Sequence, residues 1–114
     1  MEELIGLQEE KSGDVLIVRI KGRLDAISAS NAEKKVFDLI NHGQNKLLFN
    51  FAEVDYLSSA GMRMLLSTTK KLKTLSGKLV VCSVTTNVMD VLRMSGFDHV
   101  LDLSKNEEDA LKKF

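Results

Sequence analysis

Lys46-Leu47-Leu48-Phe49-Asn50-Phe51 is the stretch that most limits the fold. It is a short, almost unbroken apolar run, which suits a strand buried on both faces of a parallel sheet covered by helices. Helical patterns flank it on both sides. Before it, Ala32, Val36, Leu39 and Ile40 fall at i, i+4, i+7 and i+8, one apolar stripe. Ser30-Asn31-Ala32-Glu33 has the capping-box spacing that opens such a helix, and Gly43, after His42, supplies a left-handed C-cap. After the run, Met62, Leu65, Leu66, Thr69 and Leu72 keep helical spacing, with Arg63, Ser67, Lys70, Lys71 and Lys73 outward. Gly77, after Ser76, closes that second helix.

The remaining segments extend the alternation. Leu4 to Gln8 is a weak apolar run, and Val15 to Ile20 is rich in β-branched residues; the turn at Gly13 between them predicts an antiparallel hairpin. Gly22-Arg23-Leu24-Asp25 ends the second strand. Leu79 to Ser83 reads as another buried strand, and Val88, Val91 and Leu92 as a short helix entered through Thr86 or Asn87 and stopped by Gly96. Val100 to Leu103 reads as a last short strand. Ser104-Lys105-Asn106-Glu107 repeats the capping-box spacing, with Glu108 and Asp109 in the first turn of a final helix and Lys112 and Lys113 in its last. The predicted order is β-β-α-β-α-β-α-β-α. Right-handed crossovers make this an α/β fold: a mostly parallel sheet of four or five strands with an N-terminal antiparallel hairpin, covered by three to four helices. At 114 residues, the whole of 1–114 is expected to be one domain.

Charge and composition exclude several functions. Lys+Arg and Asp+Glu both number 16, so no net field gathers nucleic acid or an anionic membrane. Cys82 is the single cysteine, which rules out an internal disulfide and a cysteine cluster for a metal, and it sits in a run that reads as core. Met1-Glu2-Glu3-Leu4 lacks the basic-then-apolar order of a secretory signal, and no apolar run reaches the ~20 residues that span a bilayer. A cytoplasmic protein without membrane insertion is expected. His42 and His99 stand far apart with no ligand-spaced partner, so no metal site is predicted.

The chemistry gathers at Val54-Asp55-Tyr56-Leu57-Ser58-Ser59-Ala60-Gly61-Met62, where a strand gives way to a helix. A helix start offers unpaired backbone amides and a partial positive charge. Serine is a preferred N-cap, which fits Ser58; Ser59 is then the first helical residue, where folding needs no hydroxyl. A phosphate on Ser59 would add about −1.5 to −2 charges at a place that tolerates anions. It would act on whatever docks over the corner, and not on the fold. A serine hydrolase is the competing enzyme reading, but no Gly-x-Ser-x-Gly elbow occurs and only two histidines could serve as base. No catalytic residue is assigned.

The stretch Leu48 to Met62 resembles the signature of the STAS domain, and in particular that of bacterial anti-sigma factor antagonists. Gly22-Arg23-Leu24-Asp25 is similar to that family's glycine-to-acid turn, and Leu92-Arg93-Met94-Ser95-Gly96-Phe97 to its closing Ser-Gly-Leu segment. Aligning Gly61-Met62 with the family's Gly-Leu pair sets its phosphorylated serine on Ser59. Ser58 then replaces an acid, Ala60 a second serine, and Asn50 the Asp that ends the strand. The resemblance implies a partner switch. The unmodified form binds an anti-sigma factor that is also a serine kinase, freeing the sigma factor; phosphorylation of Ser59 ends binding, and a serine phosphatase resets it. ATP belongs to the kinase, so this chain needs no cofactor. The implied partner-binding residues are Asp25, Tyr56, Ser58, Ser59, Gly61 and Arg63. The alternative within the same fold is a non-phosphorylated adaptor subunit of a transporter or signalling complex.

Overall fold

The computed structural model describes residues 5–114; Leu4, at the start of the first predicted strand, and the acidic Met1-Glu2-Glu3 lie outside the described residues. Strands β1 (Ile5–Ser12) and β2 (Val15–Leu24) form the expected antiparallel hairpin around Gly13-Asp14. Strands β3 (Lys46–Leu57), β4 (Lys78–Cys82) and β5 (Leu103–Ser104) add in parallel, so spatial order equals chain order. Successive right-handed crossovers that always step the same way put their helices on one face. Accordingly α1 (Ala26–Asn41), α2 (Ser59–Thr74) and α3 (Thr86–Met94) share a face and cover the main core. That core holds Val18, Ile20, Phe49 and Phe51 of the sheet against Val36, Leu65, Leu72 and Leu92 of the helices. Among the described residues the other face carries only α4 (Glu107–Leu111), whose Ala110 packs on Val15, Ile17, Leu48, Val80 and Cys82.

Strand β3 is twice the length its apolar run predicts. Beyond Asn50 its buried residues are Phe51, Val54 and Leu57, a spacing of three that no regular strand gives. Two register shifts against β2 account for it: Arg19 faces Asn50, Lys21 faces Glu53 and Arg23 faces Tyr56, so β3 carries one extra residue at each shift. Each extra residue returns the next apolar side chain to the core face. The last β4 partner of β3 is Cys82, opposite Asn50, so the end of β3 projects past β4 as far as Leu57.

Several boundaries differ from the sequence reading. Helix α1 begins one turn early, because Asp25 caps it: Asp25 Oδ1 accepts from Ile27 N (3.0 Å) and Ser28 N (2.9 Å), and Asp25 N donates to Ser28 Oγ (2.9 Å). This capping box takes the role predicted for Ser30-x-x-Glu33. At the end of α2 the left-handed residue is Ser76 (φ 57°), with Gly77 N donating to Leu72 O and Ser76 N to Lys73 O. Gly77 is needed for a different reason: a Cβ there would lie 2.1 Å from Asn45 O. Thr85 holds the N-cap position of α3 without a side-chain cap bond, its Oγ1 donating instead to Val54 O (2.9 Å). Val100 is exposed beyond a 3₁₀ turn (Phe97–His99), and the last strand starts only at Leu103. Asn106, and not Ser104, caps α4, accepting from Asp109 N (2.8 Å). Lys112 and Lys113 lie past its last turn, with Lys113 paired to Asp102 (2.8 Å).

Candidate functional site

Strands β2 and β3 end side by side at the paired residues Leu24 and Leu57, and each leads directly into a helix. Two helix N-termini are therefore presented together, one capped by Asp25 and the other by Ser58. Ser58 is fully occupied with this. Its Oγ donates to Leu24 O (2.7 Å) and accepts from Gly61 N (3.1 Å), and its own N–H also donates to Leu24 O (2.9 Å). The hydroxyl thus fastens α2 to the end of β2.

Ser59 follows as the first residue of α2, exposed, and its hydroxyl has no hydrogen-bond partner among the described residues. Gly61 is buried: a Cβ there would stand 2.6 Å from Leu57 Cδ1 and 3.1 Å from both Cβ and O of Leu24. Only glycine lets the first turn of α2 sit this close to the strand ends. Met62 is half-buried on the flank of the core stripe, which runs through Gly61, Met64, Leu65, Thr68 and Leu72. Arg63 is exposed and, among the described residues, makes no hydrogen bond or ion pair.

Asp25 is engaged rather than free. The Ser28 backbone amide above all holds its carboxyl below the usual carboxylate range, with further help from the Ser28 hydroxyl, Ile27 N and the charge of Arg23. Ser28 is buried and its Oγ also donates to Arg23 O. Tyr56 is 40% exposed, and the Arg23 guanidinium lies over its ring at 4.2 Å from the centroid. Ile27, 65% exposed, adds an apolar side chain at the start of α1. Sequence reasoning missed Arg23 and Ile27 as parts of this surface. Ile27 falls between the predicted strand end at Asp25 and the predicted helix start at Ser30, where no element is expected, and Arg23 becomes a neighbour of Tyr56 only through the second register shift of β3.

Between α1 and α2 runs a cleft of about 180 Å³, lined by Ala26, Ala29, Ser30 and Glu33 on one wall and Ala60, Arg63 and Met64 on the other. Three alanines and Met64 share its lining with Ser30, Glu33 and Arg63, and Ser67 Oγ donates to Glu33 Oε2 (2.7 Å). The six residues singled out from sequence are not equivalent: Asp25 and Ser58 cap, Gly61 allows close packing, and Tyr56, Ser59 and Arg63 face solvent.

Among the described residues, neither histidine has a hydrogen-bond or ion-pair partner on this surface. His42 is at the far end of α1, which at 1.5 Å per residue is roughly 24 Å from its start. Its Nδ1 lies 2.7 Å from Asp38 O, and His99 is within ion-pair reach of Asp98 (3.8 Å). Among the described residues no group of three or more His, Cys, Asp or Glu is arranged to hold a metal ion, and no helix is long and apolar enough to cross a membrane.

Residues 7–110 match the STAS domain. BtrV of Bordetella bronchiseptica, which carries an anti-sigma factor antagonist name, is 28% identical over 108 residues, covering 95% of this chain and 93% of BtrV. The crystal structure of an anti-sigma factor antagonist from Mycobacterium paratuberculosis superposes with a TM-score of 0.87 at 21% identity, over 99% of this chain and 96% of that one. The anti-sigma factor antagonist SpoIIAA in its unphosphorylated form superposes at 0.79 and 21% identity, over 95% of each chain. The Bacillus SpoIIAA has also been solved in a phosphorylated form, TM-score 0.71 at 20% identity, over 95% of this chain and 98% of that one.

Proposed function

The chain belongs to the STAS domain family, and from that premise we propose that it is a phosphorylation-gated anti-sigma factor antagonist of the cytoplasm, one domain over residues 1–114. In this reading the unmodified corner docks on an anti-sigma factor that is also a serine kinase, and the sigma factor is released. Ser59 receives the phosphate from the kinase's ATP, and a serine phosphatase removes it. The work is done by binding, with no catalytic residue in this chain.

The observation that carries the reading is the unequal state of the two hydroxyls. Modifying Ser58 would break the Oγ bond that ties α2 to Leu24 O of β2 and the cap bond from Gly61 N, whereas Ser59 is exposed and unbonded at a helix start. A phosphate on Ser59 leaves every hydrogen bond of the cap in place. Its cost falls on the complex, through desolvation and lost contact with whatever covers Tyr56, Ile27 and Arg63. A loss of ~3 kcal/mol already weakens a complex more than a hundredfold. That SpoIIAA exists in both unphosphorylated and phosphorylated forms supports the same scheme here.

The test is incubation with the cognate kinase and ATP, followed by mass spectrometry. Phosphate on Ser59, with a Ser59→Ala protein that stays bound and a Ser59→Asp protein that binds more than about a hundredfold weaker, is the expected result. Modification elsewhere sinks the gating reading. Capture of a transporter or signalling subunit with equal affinity by Ser59→Asp would instead favour a permanent adaptor.

A further inference from the structure

Arg63 is a charged residue of the corner that, among the described residues, makes no hydrogen bond or ion pair. It stands four residues after Ser59, so the two side chains lie one above the other on α2. Helical side chains lean toward the N-terminus, which turns Arg63 toward the Ser59 turn. Carboxylates near it have other partners: Glu33, across the cleft, accepts from Ser67 Oγ, and Asp25 accepts the amides of its own cap. Ala26, Ala29 and Ala60 line the same cleft as Arg63, so small side chains border it.

We propose that Arg63 is the internal counter-ion of a phosphorylated Ser59. The inference rests on the reading of Ser59 as the modified residue. A phosphoserine brings about −1.5 to −2 charges and three acceptor oxygens. A guanidinium meets phosphate with two parallel N–H donors, and an anion at i with a cation at i+4 is the favourable order along a helix. Phosphorylation then changes the docking surface twice. It adds a bulky anion, and it withdraws Arg63, a cation that the unmodified corner offers a partner.

The experiment encodes phosphoserine directly at position 59, so no kinase is involved. Four full-length proteins are compared by thermal unfolding: unmodified and phosphorylated, each with Arg63 or with Arg63→Gln. The phosphate is expected to change the midpoint more favourably by about 2–4 °C with Arg63 than with Arg63→Gln. That difference should shrink in 1 M salt and survive in reduced form in Arg63→Lys, whose ammonium is a point charge. A phosphate effect that is equal in the two backgrounds, or more favourable with Arg63→Gln, overturns the proposal. A kinase that ignores Ser59 would leave this result standing and defeat only the reading of the site above.

Discussion

Replacing Ser58 by alanine removes the acceptor for Gly61 N and one of two donors to Leu24 O, at the point where α2 leaves β3. The expected loss is about 1 kcal/mol of stability, the usual worth of a serine N-cap. Ser59→Ala, which removes an exposed and unbonded hydroxyl, should stay within about 0.5 kcal/mol of the parent. Urea unfolding of the two variants measures the difference directly, and equal effects would refute the division of roles. This division was legible in the chain because capping is local: residue type, adjacent Gly61 and the following stripe all speak of the same turn. Asp25 was harder to read as a cap. Its partner in the capping box is Ser28 at N3, where Glu or Gln is the usual cue.

Helix α4 is held by one half-buried cluster of charge. Arg19 donates from Nε to Glu107 Oε2 (2.8 Å) and from Nη2 to Oε1 (2.9 Å), while its Nη1 reaches Glu10 Oε1 (2.7 Å). Asn50 Nδ2 donates to Glu107 Oε2 (2.5 Å), and Asn50 Oδ1 accepts from Ala52 N (2.8 Å). The Arg19 hydrogen bonds above all, with that of Asn50, hold the Glu107 carboxyl below its ordinary value. A lowered carboxyl stabilises the fold above the ordinary glutamate pKa, and that part is lost as pH falls through the lowered one. Asn50→Asp should cost about 1–3 kcal/mol at pH 7, because two carboxylates would meet where one amide now donates. The deficit should narrow on acidification as the pair takes up a proton, and adding Glu107→Gln should remove most of it. Unfolding curves at pH 7 and pH 4 check both statements; a deficit that is flat with pH contradicts the charge argument. None of this network could be read from sequence, since Arg19, Asn50 and Glu107 meet only through the sheet register and the docking of α4. The extended β3 escaped for a related reason: its second half has apolar residues every third position, and only the two shifts against β2 make a strand of that pattern. The alternation of strands and helices was legible because each stripe repeats within its own segment.

Across the whole molecule the two faces of the sheet are unequally covered. Three helices close the face with the main core, and the five residues of α4 close the other, with Leu111 and Phe114 packed at its edge. A helix this short has no stability of its own and stays only by its contacts. Cys82 is fully buried beneath it, and burial pushes its thiol pKa up, so a thiol reagent must wait for this face to open. If α4 opens as a unit, the labelling rate of Cys82 follows the free energy of that opening and not of global unfolding. Glu107→Gln weakens the α4 anchor by about 1 kcal/mol and should raise the labelling rate roughly fivefold. Ser58→Ala, of similar global cost but anchored at the start of α2, should leave that rate unchanged. Equal acceleration by both variants would mean that Cys82 is reached only through global unfolding, and that the thinly covered face is as stable as the thickly covered one.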